Sequence, residues 1–328
     1  MPDRFLDVTS GTAMVVTDLH GDWDAFDRCL KHFYTLYEQN QAHHLIFLGD
    51  VIHGYGAPDT DASLDMILEI IALREQYGPD MFMMLLGNHE MPHIYGVMLA
   101  KGDLEFTPRF EHALKTHRER VIGFFDSLPF IIRTAAGVML LHAGPAPDVI
   151  GHVELLRHFD HQAVLDTTAE ALAQAEDINA LYKQYGRVYG APYDEVARQY
   201  LAIQGPNDPR YMHLLRAFMV GRMSREFQIL WDTLFSMNER GLTSVIYQNA
   251  CQQFLSAFSV GAPVPQQVMV SGHIATKGGH ESINSCHLRL ASAAHARPRE
   301  SGEYLLFDCA KPVANVNELL PGLRPVFG

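Results

Sequence analysis

Five short apolar runs in this chain stop abruptly at a carboxylate, an amide or an imidazole, mostly beside glycine. They read TAMVVTDLHGD, HLIFLGDVIHG, MFMMLLGNHE, VMLLHAG and VMVSGH. An apolar run of four to six residues bounded by turn residues predicts a buried strand. Glycine lets the chain turn sharply there and leaves room beside a ligand. In open α/β sheets, ligand-binding groups gather beyond the carboxyl ends of the strands. A single run of this kind carries no information, but the recurrence in one chain predicts one site assembled from several strand ends.

The segments between these runs are amphipathic. WDAFDRCLKHFYTLYEQN predicts a helix with Asp22 as its cap, DASLDMILEIIALREQYG a second helix ended by Gly78 and Pro79, and TPRFEHALKTHRERVIGFFDSLP a largely helical stretch ending at Pro129. FIIRTAAGVMLLH predicts a hairpin. Strands separated by helices predict a layered α/β core. From 151 to about 259 long helical segments dominate, broken by GRVYGAPY and QGPNDPR, and strand-like runs (QQVMVSG, HLRLA, EYLLFD) return afterwards. This predicts one domain over 1–328 carrying a helical insertion at 151–259. The tail from Pro312 reads as loop.

Composition bounds the function. With 328 residues and 48% hydrophobic content, a sizeable core is available. The formal net charge of -13 weighs against a nucleic-acid partner, which calls for a basic face, but does not exclude a phosphate substrate, because bound metals reverse the local sign. No apolar stretch has the length of a membrane span. Cys29, Cys251, Cys286 and Cys309 are far apart in sequence and form no CxxC pair, consistent with a reducing, cytoplasmic setting.

The residues at the strand ends, Asp18, His20, Asp50, Asn88, His142 and His273, are all oxygen or nitrogen donors. Such a set suits Mn, Fe or Zn. Two metals need a shared ligand, which a carboxylate such as Asp50 could supply. A metal pair can hold a hydroxide nucleophile and stabilise a developing phosphoryl charge, so that water displaces the leaving group in line. Each residue also has a plainer reading: Asp18 as a helix cap, His20 and Asp50 as turn residues, Asn88 as a left-handed turn residue, His142 and His273 as core histidines bonded to backbone. His89 follows Asn88 and has a pKa range suited to protonating a leaving group; packing as a structural histidine is its alternative. Glu90 could orient His89 or cap a helix.

Together these blocks resemble the calcineurin-like metallophosphoesterases. Within them the chain looks most like the phosphoprotein phosphatase branch, which includes serine/threonine protein phosphatases and symmetrical dinucleoside tetraphosphatases. That branch carries GDxHG, GDxxDRG, GNHE, HGG and GH in order; here TDLHGD, GDVIHG, GNHE, HAG and GHIA stand in that order, from Asp18 to His273. The resemblance implies a four-layer fold, a two-sheet β-sandwich flanked by helices. It implies that Asp18 and His20 bind a first metal, that Asp50 bridges, that Asn88, His142 and His273 complete a second, and that His89 is the general acid.

It also implies two arginines that grip phosphate with paired hydrogen bonds. MNERGL resembles the segment that carries one of them and places it at Arg240. The other is missing: GDVIHG has His53 and Gly54 where the branch has Asp and Arg. His53 could bond phosphate when protonated, and its plainer reading is a loop histidine. Arg187 and Arg222 are further candidates, each also readable as a solvated arginine near a helix end. ASAAHARPRESGEY replaces the usual segment after the last histidine and brings His295 and Arg297 forward. The losses weaken a protein-phosphatase reading more than they weaken the metal centre. The expectation is a dinuclear metal-dependent phosphatase acting on phosphoserine or phosphothreonine in proteins. The alternatives are a small-molecule phosphatase or dinucleoside polyphosphate hydrolase, and a metal-binding interaction protein without catalysis. The sequence leaves oligomeric state open.

Overall fold

Each of the five apolar runs forms a strand, and their carboxyl ends deliver the predicted donor residues. The computed structural model describes residues 3–101, 104–146, 151–236 and 238–328. These residues fall into two compact units, one of Met1–Asn88, Leu128–Phe159 and Leu230–Gly328, the other of His89–Ser127 and Asp160–Ile229.

The first unit holds two sheets. The five-stranded sheet has the order Leu323–Pro325, Glu303–Asp308, Thr12–Val16, His44–Phe47, Phe82–Met84. Its last three strands are parallel, in register Val15↔Ile46 and Ile46↔Met83. The six-stranded sheet runs Phe5–Val8, Ile131–Thr134, Val138–Leu141, Val268–Ser271, His287–Leu290, His280–Asn284. Within it Val138–Leu141, Val268–Ser271 and His287–Leu290 are parallel, so their carboxyl ends share one edge. The predicted hairpin is the antiparallel pair Ile131–Thr134 and Val138–Leu141.

Residues of both sheets share one buried cluster. Val15, Ile46, Leu48, Met83 and Leu85 come from the first, and Ile132, Leu140, Val268, Val270 and Leu288 from the second. Strands buried on both faces explain the continuous apolar runs, which show no alternation. The helix Trp23–Glu38 is capped as expected, Asp22 Oδ1 accepting from Ala25 N–H at 3.1 Å. The helix Ser63–Tyr77 ends at Gly78, whose φ of 98° only glycine adopts readily. The tail read as loop contains a strand, Leu323–Pro325. It is a three-residue, largely exposed edge strand with a proline at its end, too short to show a pattern.

The described residues of 151–259 carry seven α-helices, from Val153–Arg157 to Ser244–Phe258. The compact units do not follow that span: Leu230–Phe258 belongs to the first unit, and 89–127 joins 160–229 in the second. The second unit has its own core, Leu172, Tyr185, Tyr193, Val196, Leu201 and Leu214 among others. Inside it the buried Glu111 carboxylate accepts from His93 Nδ1 at 3.0 Å and Arg118 Nε at 2.9 Å.

His213, in the same unit, is pushed down to about 3 by burial and by the charges of Arg216 and Arg118. A histidine that stays neutral in the fold but protonates in the unfolded chain favours unfolding in acid. Its contribution is complete above the unfolded value of about 6.5 and is lost as pH falls toward 3. At pH 5 the loss is on the order of 2 kcal/mol. His213→Gln is expected to flatten the fall in urea midpoint between pH 7 and pH 5. An unchanged slope would remove His213 as its source.

Candidate metal centre

The strand ends place their donors through strained backbone. Asp18, His20, Asp50, His53 and His273 all have positive φ, between 44° and 73°. Such values are uncommon outside glycine and persist where the surroundings enforce them, typically at functional sites. Among the described residues only three other non-glycine residues share this feature: Asn40, Lys115 and Ala202. The strain is therefore concentrated at the predicted donors.

Long-range backbone bonds hold these turns. His20 N–H donates to Asp50 O at 3.0 Å and Gly21 N–H to Val51 O at 2.7 Å. His273 N–H donates to both Asp18 carboxylate oxygens, at 3.0 and 2.9 Å. At Gly49, φ is 90° and a side chain would strike Gly87 Cα at 2.7 Å, which explains the glycines preceding Asp50 and Asn88.

Two histidines have their tautomer fixed. His20 Nδ1–H donates to Ile52 O at 3.0 Å, and His142 Nδ1–H to Leu48 O at 2.8 Å. A carbonyl can only accept, so in the neutral rings both Nε2 atoms are left as lone pairs. His142 Nε2 lies 2.8 Å from Asn88 Oδ1 and 3.1 Å from His273 Nδ1. An imidazole lone pair facing an amide oxygen is acceptor against acceptor, an arrangement that a shared cation relieves. His273 Nε2 is buried without a hydrogen-bond partner.

Two sets of three side chains, Asp18–His20–His295 and Asp50–His142–His273, each bring donor atoms within 4.8 Å of one another and could hold a metal ion. The Asp50 carboxylate faces both, with Oδ2 3.7 Å from His20 Nε2 and 3.5 Å from His142 Nε2. Electrostatics keep the sets in ligand form. Burial, reinforced by His295, holds His20 down to about 3, and burial with His142 does the same to His273. Burial also lowers His142. Burial alone would raise Asp18, but the charges of His295, His142 and His20 hold its carboxyl well below the usual range. Neutral imidazoles and ionised carboxylates are the species that bind metal.

The other predicted residues fall as follows. Asn88 joins the second set through its amide oxygen, 2.9 Å from His273 Nδ1. His53 is buried, and its N–H donates to Ser63 Oγ at 2.8 Å; Ser63 in turn bonds Asp61, which also accepts from Gly54 N–H at 3.2 Å. His89 opens the second unit, half-buried, its ring 5.3 Å from Phe106. Arg240 is exposed in the turn Asn238–Gly241, while its neighbour Glu239 pairs with Arg289. Arg187 and Arg222 lie exposed in the last turns of Ile178–Tyr189 and His213–Met223, where a cation suits the helix dipole. Tyr55 was not anticipated: its ring lies 4.7 Å from His20, with its hydroxyl 3.4 Å from Nε2. It follows the GDVIHG block, and no donor pattern marks a tyrosine there.

The chain matches the calcineurin-like phosphoesterase family over residues 11–203 and belongs to it. It is thus a metal-dependent phosphoesterase, as the two donor sets suit. The fold resembles that of a serine/threonine phosphatase from Saccharomyces cerevisiae with similarity to human phosphatase PP5. There the identity is 13%, the TM-score 0.51, and the match covers 93% of this chain and 76% of that one. It also resembles a point mutant of a cold-active protein tyrosine phosphatase, with 16% identity, TM-score 0.50, and 94% and 78% covered. No curated protein sequence matches the chain. Among the described residues no helix is long and apolar enough to cross a membrane.

Proposed function

We propose that this protein hydrolyses phosphate monoesters at a dinuclear metal centre, with phosphorylated side chains of proteins as its substrates. The observation that carries the dinuclear reading is the position of Asp50. Its carboxylate faces His20 on one side and His142 on the other, at 3.7 and 3.5 Å, the position of a ligand shared by two ions. In this reading Asp18, His20 and Asp50 would hold one metal, and Asp50, Asn88, His142 and His273 the other. Manganese, iron or zinc suits these nitrogen and oxygen donors. Such a pair supplies Lewis-acid polarisation of a phosphoryl group and activation of water.

The chain's own groups do the rest. The bonds from His20 and His142 to backbone carbonyls fix both rings, so no reorganisation is needed when phosphate arrives. His89 is the residue we assign to protonating the leaving oxygen. Arg240 and His53 are our candidates for phosphate contacts. Arg297 is a further one, because its positive charge reaches the Tyr55 hydroxyl beside His20. The protein-substrate reading draws on the names of the two similar structures, both protein phosphatases. The second reading, small phosphoesters or dinucleoside polyphosphates, is favoured by the loss of the Asp-Arg pair at His53 and Gly54.

Phosphate release from phosphopeptides, set against nucleotide release from dinucleoside tetraphosphate on matched Mn-loaded protein, separates the readings. A higher kcat/KM on phosphopeptide is expected. A preference for the dinucleotide would transfer the assignment to the second reading.

A further inference from the structure

His295 stands outside the five strand-end motifs, yet the fold brings it to the first donor set. The strand His287–Leu290 is parallel to Val268–Ser271, so its carboxyl end emerges on the same edge as the strands that deliver His142 and His273. The segment that follows is tied to the Asp18 turn at successive points. Thr17 N–H donates to Ser292 Oγ at 3.0 Å, Thr17 Oγ1 to Leu290 O at 3.1 Å, and Ala294 N–H to Asp18 O at 3.1 Å. His295 O accepts from Thr276 N–H at 2.9 Å, beside the His273 turn. Ala291 and Ala293 are fully buried, and residues this small let the segment lie close against the turn.

The side chain is held as firmly. His295 is 8% exposed, its Nδ1 lies 3.1 Å from Asp18 Oδ1, and its ring centroid is 5.1 Å from that of His20. The Nδ1 atom is buried without a hydrogen bond of good geometry, and the group it faces is the Asp18 carboxylate, itself a predicted metal ligand. A buried imidazole nitrogen without a hydrogen bond is costly in an apoprotein but suits a ligand to a cation. We propose that His295 is a protein ligand of the first metal, through Nδ1, completing a set with Asp18, His20 and the shared Asp50. The inference rests on the dinuclear reading above. It raises the nitrogen count at the first metal to two, equal to that at the second, and so predicts two ions of comparable affinity.

Metal binding tests this without reference to turnover. The full-length protein is stripped with chelator and titrated with Mn²⁺ and Zn²⁺ by calorimetry, with metal content measured after gel filtration. Wild type is expected to take up two ions per chain. His295→Ala and the bulkier His295→Gln are expected to weaken one site by roughly a hundredfold, at the upper end of what losing an outer-shell partner costs, and to leave the other unchanged. Wild-type affinity at both sites in these variants would overturn the proposal. Fewer than two ions in wild type would instead overturn the dinuclear reading itself. Histidine-labelled wild type gives a test that no variant's folding can spoil. The ¹⁵N resonance of His295 Nδ1 is expected to shift on Zn²⁺ addition, and its failure to move while those of His20 and His142 shift would also overturn the proposal.

Discussion

Asp50→Asn is expected to lower kcat/KM on a phosphomonoester by about a thousandfold and to reduce the bound metal below two ions per chain. The substitution is nearly isosteric, and asparagine tolerates the left-handed backbone that Asp50 adopts at φ 53°. The effect therefore isolates charge. Asp18 and Asp50 are the two carboxylates among the donors, so the variant removes half of the anionic compensation for two cations. Electrophilic metal ions supply several kcal/mol of transition-state stabilisation, and each ~1.4 kcal/mol is tenfold in rate. Steady-state kinetics with p-nitrophenyl phosphate, alongside metal analysis, measure both outcomes. Full activity with two ions retained would mean that Asp50 is not shared.

Gly272→Ala, a change of one methyl group, is expected to damage the site almost as severely. Its Cβ would collide with Asp18 Oδ2 and lie 2.8 Å from Thr17 Cβ. The glycine is needed for this close approach, which also lets His273 N–H reach both Asp18 oxygens. Relief requires either the carboxylate to leave its position or the two turns to separate. Overpacking of this kind costs about 1–3 kcal/mol. Disturbing the hydrogen-bonded support of a ligand costs roughly 10- to 100-fold in metal affinity. Calorimetric metal titration and a thermal melt of the stripped protein read the two consequences separately. A variant matching wild type in both would refute the steric account.

What was legible in the sequence is what is local. Asp18, His20, Asp50, Asn88, His142 and His273 each stand at or just beyond the end of an apolar run, a position that the neighbouring residues mark. His295 was visible only as a neighbour of an unusual segment. It stands five residues past Leu290, and what aims it is the bond from Ala294 to Asp18, residues distant in sequence. Tyr55 was missed because the residue it reaches, His20, lies on a different strand end, distant in sequence. The division into two units was hidden for a related reason. The helices of 89–127 and 160–229 read as ordinary amphipathic segments, and nothing local marks which core each one joins. The strand Leu323–Pro325 exists only through its pairing with Glu303–Asp308.

Each donor set draws on both sheets. Asp18, His20 and Asp50 follow strands of the five-stranded sheet, and His142, His273 and His295 follow strands of the six-stranded one. An ion held in either set therefore works as a clasp across the sandwich, and parting the sheets means giving it up. Free metal at a hundred times its dissociation constant would add about 2.7 kcal/mol to the folded state. Metal bound at these sets would then slow proteolysis of the chain as well as serve its chemistry.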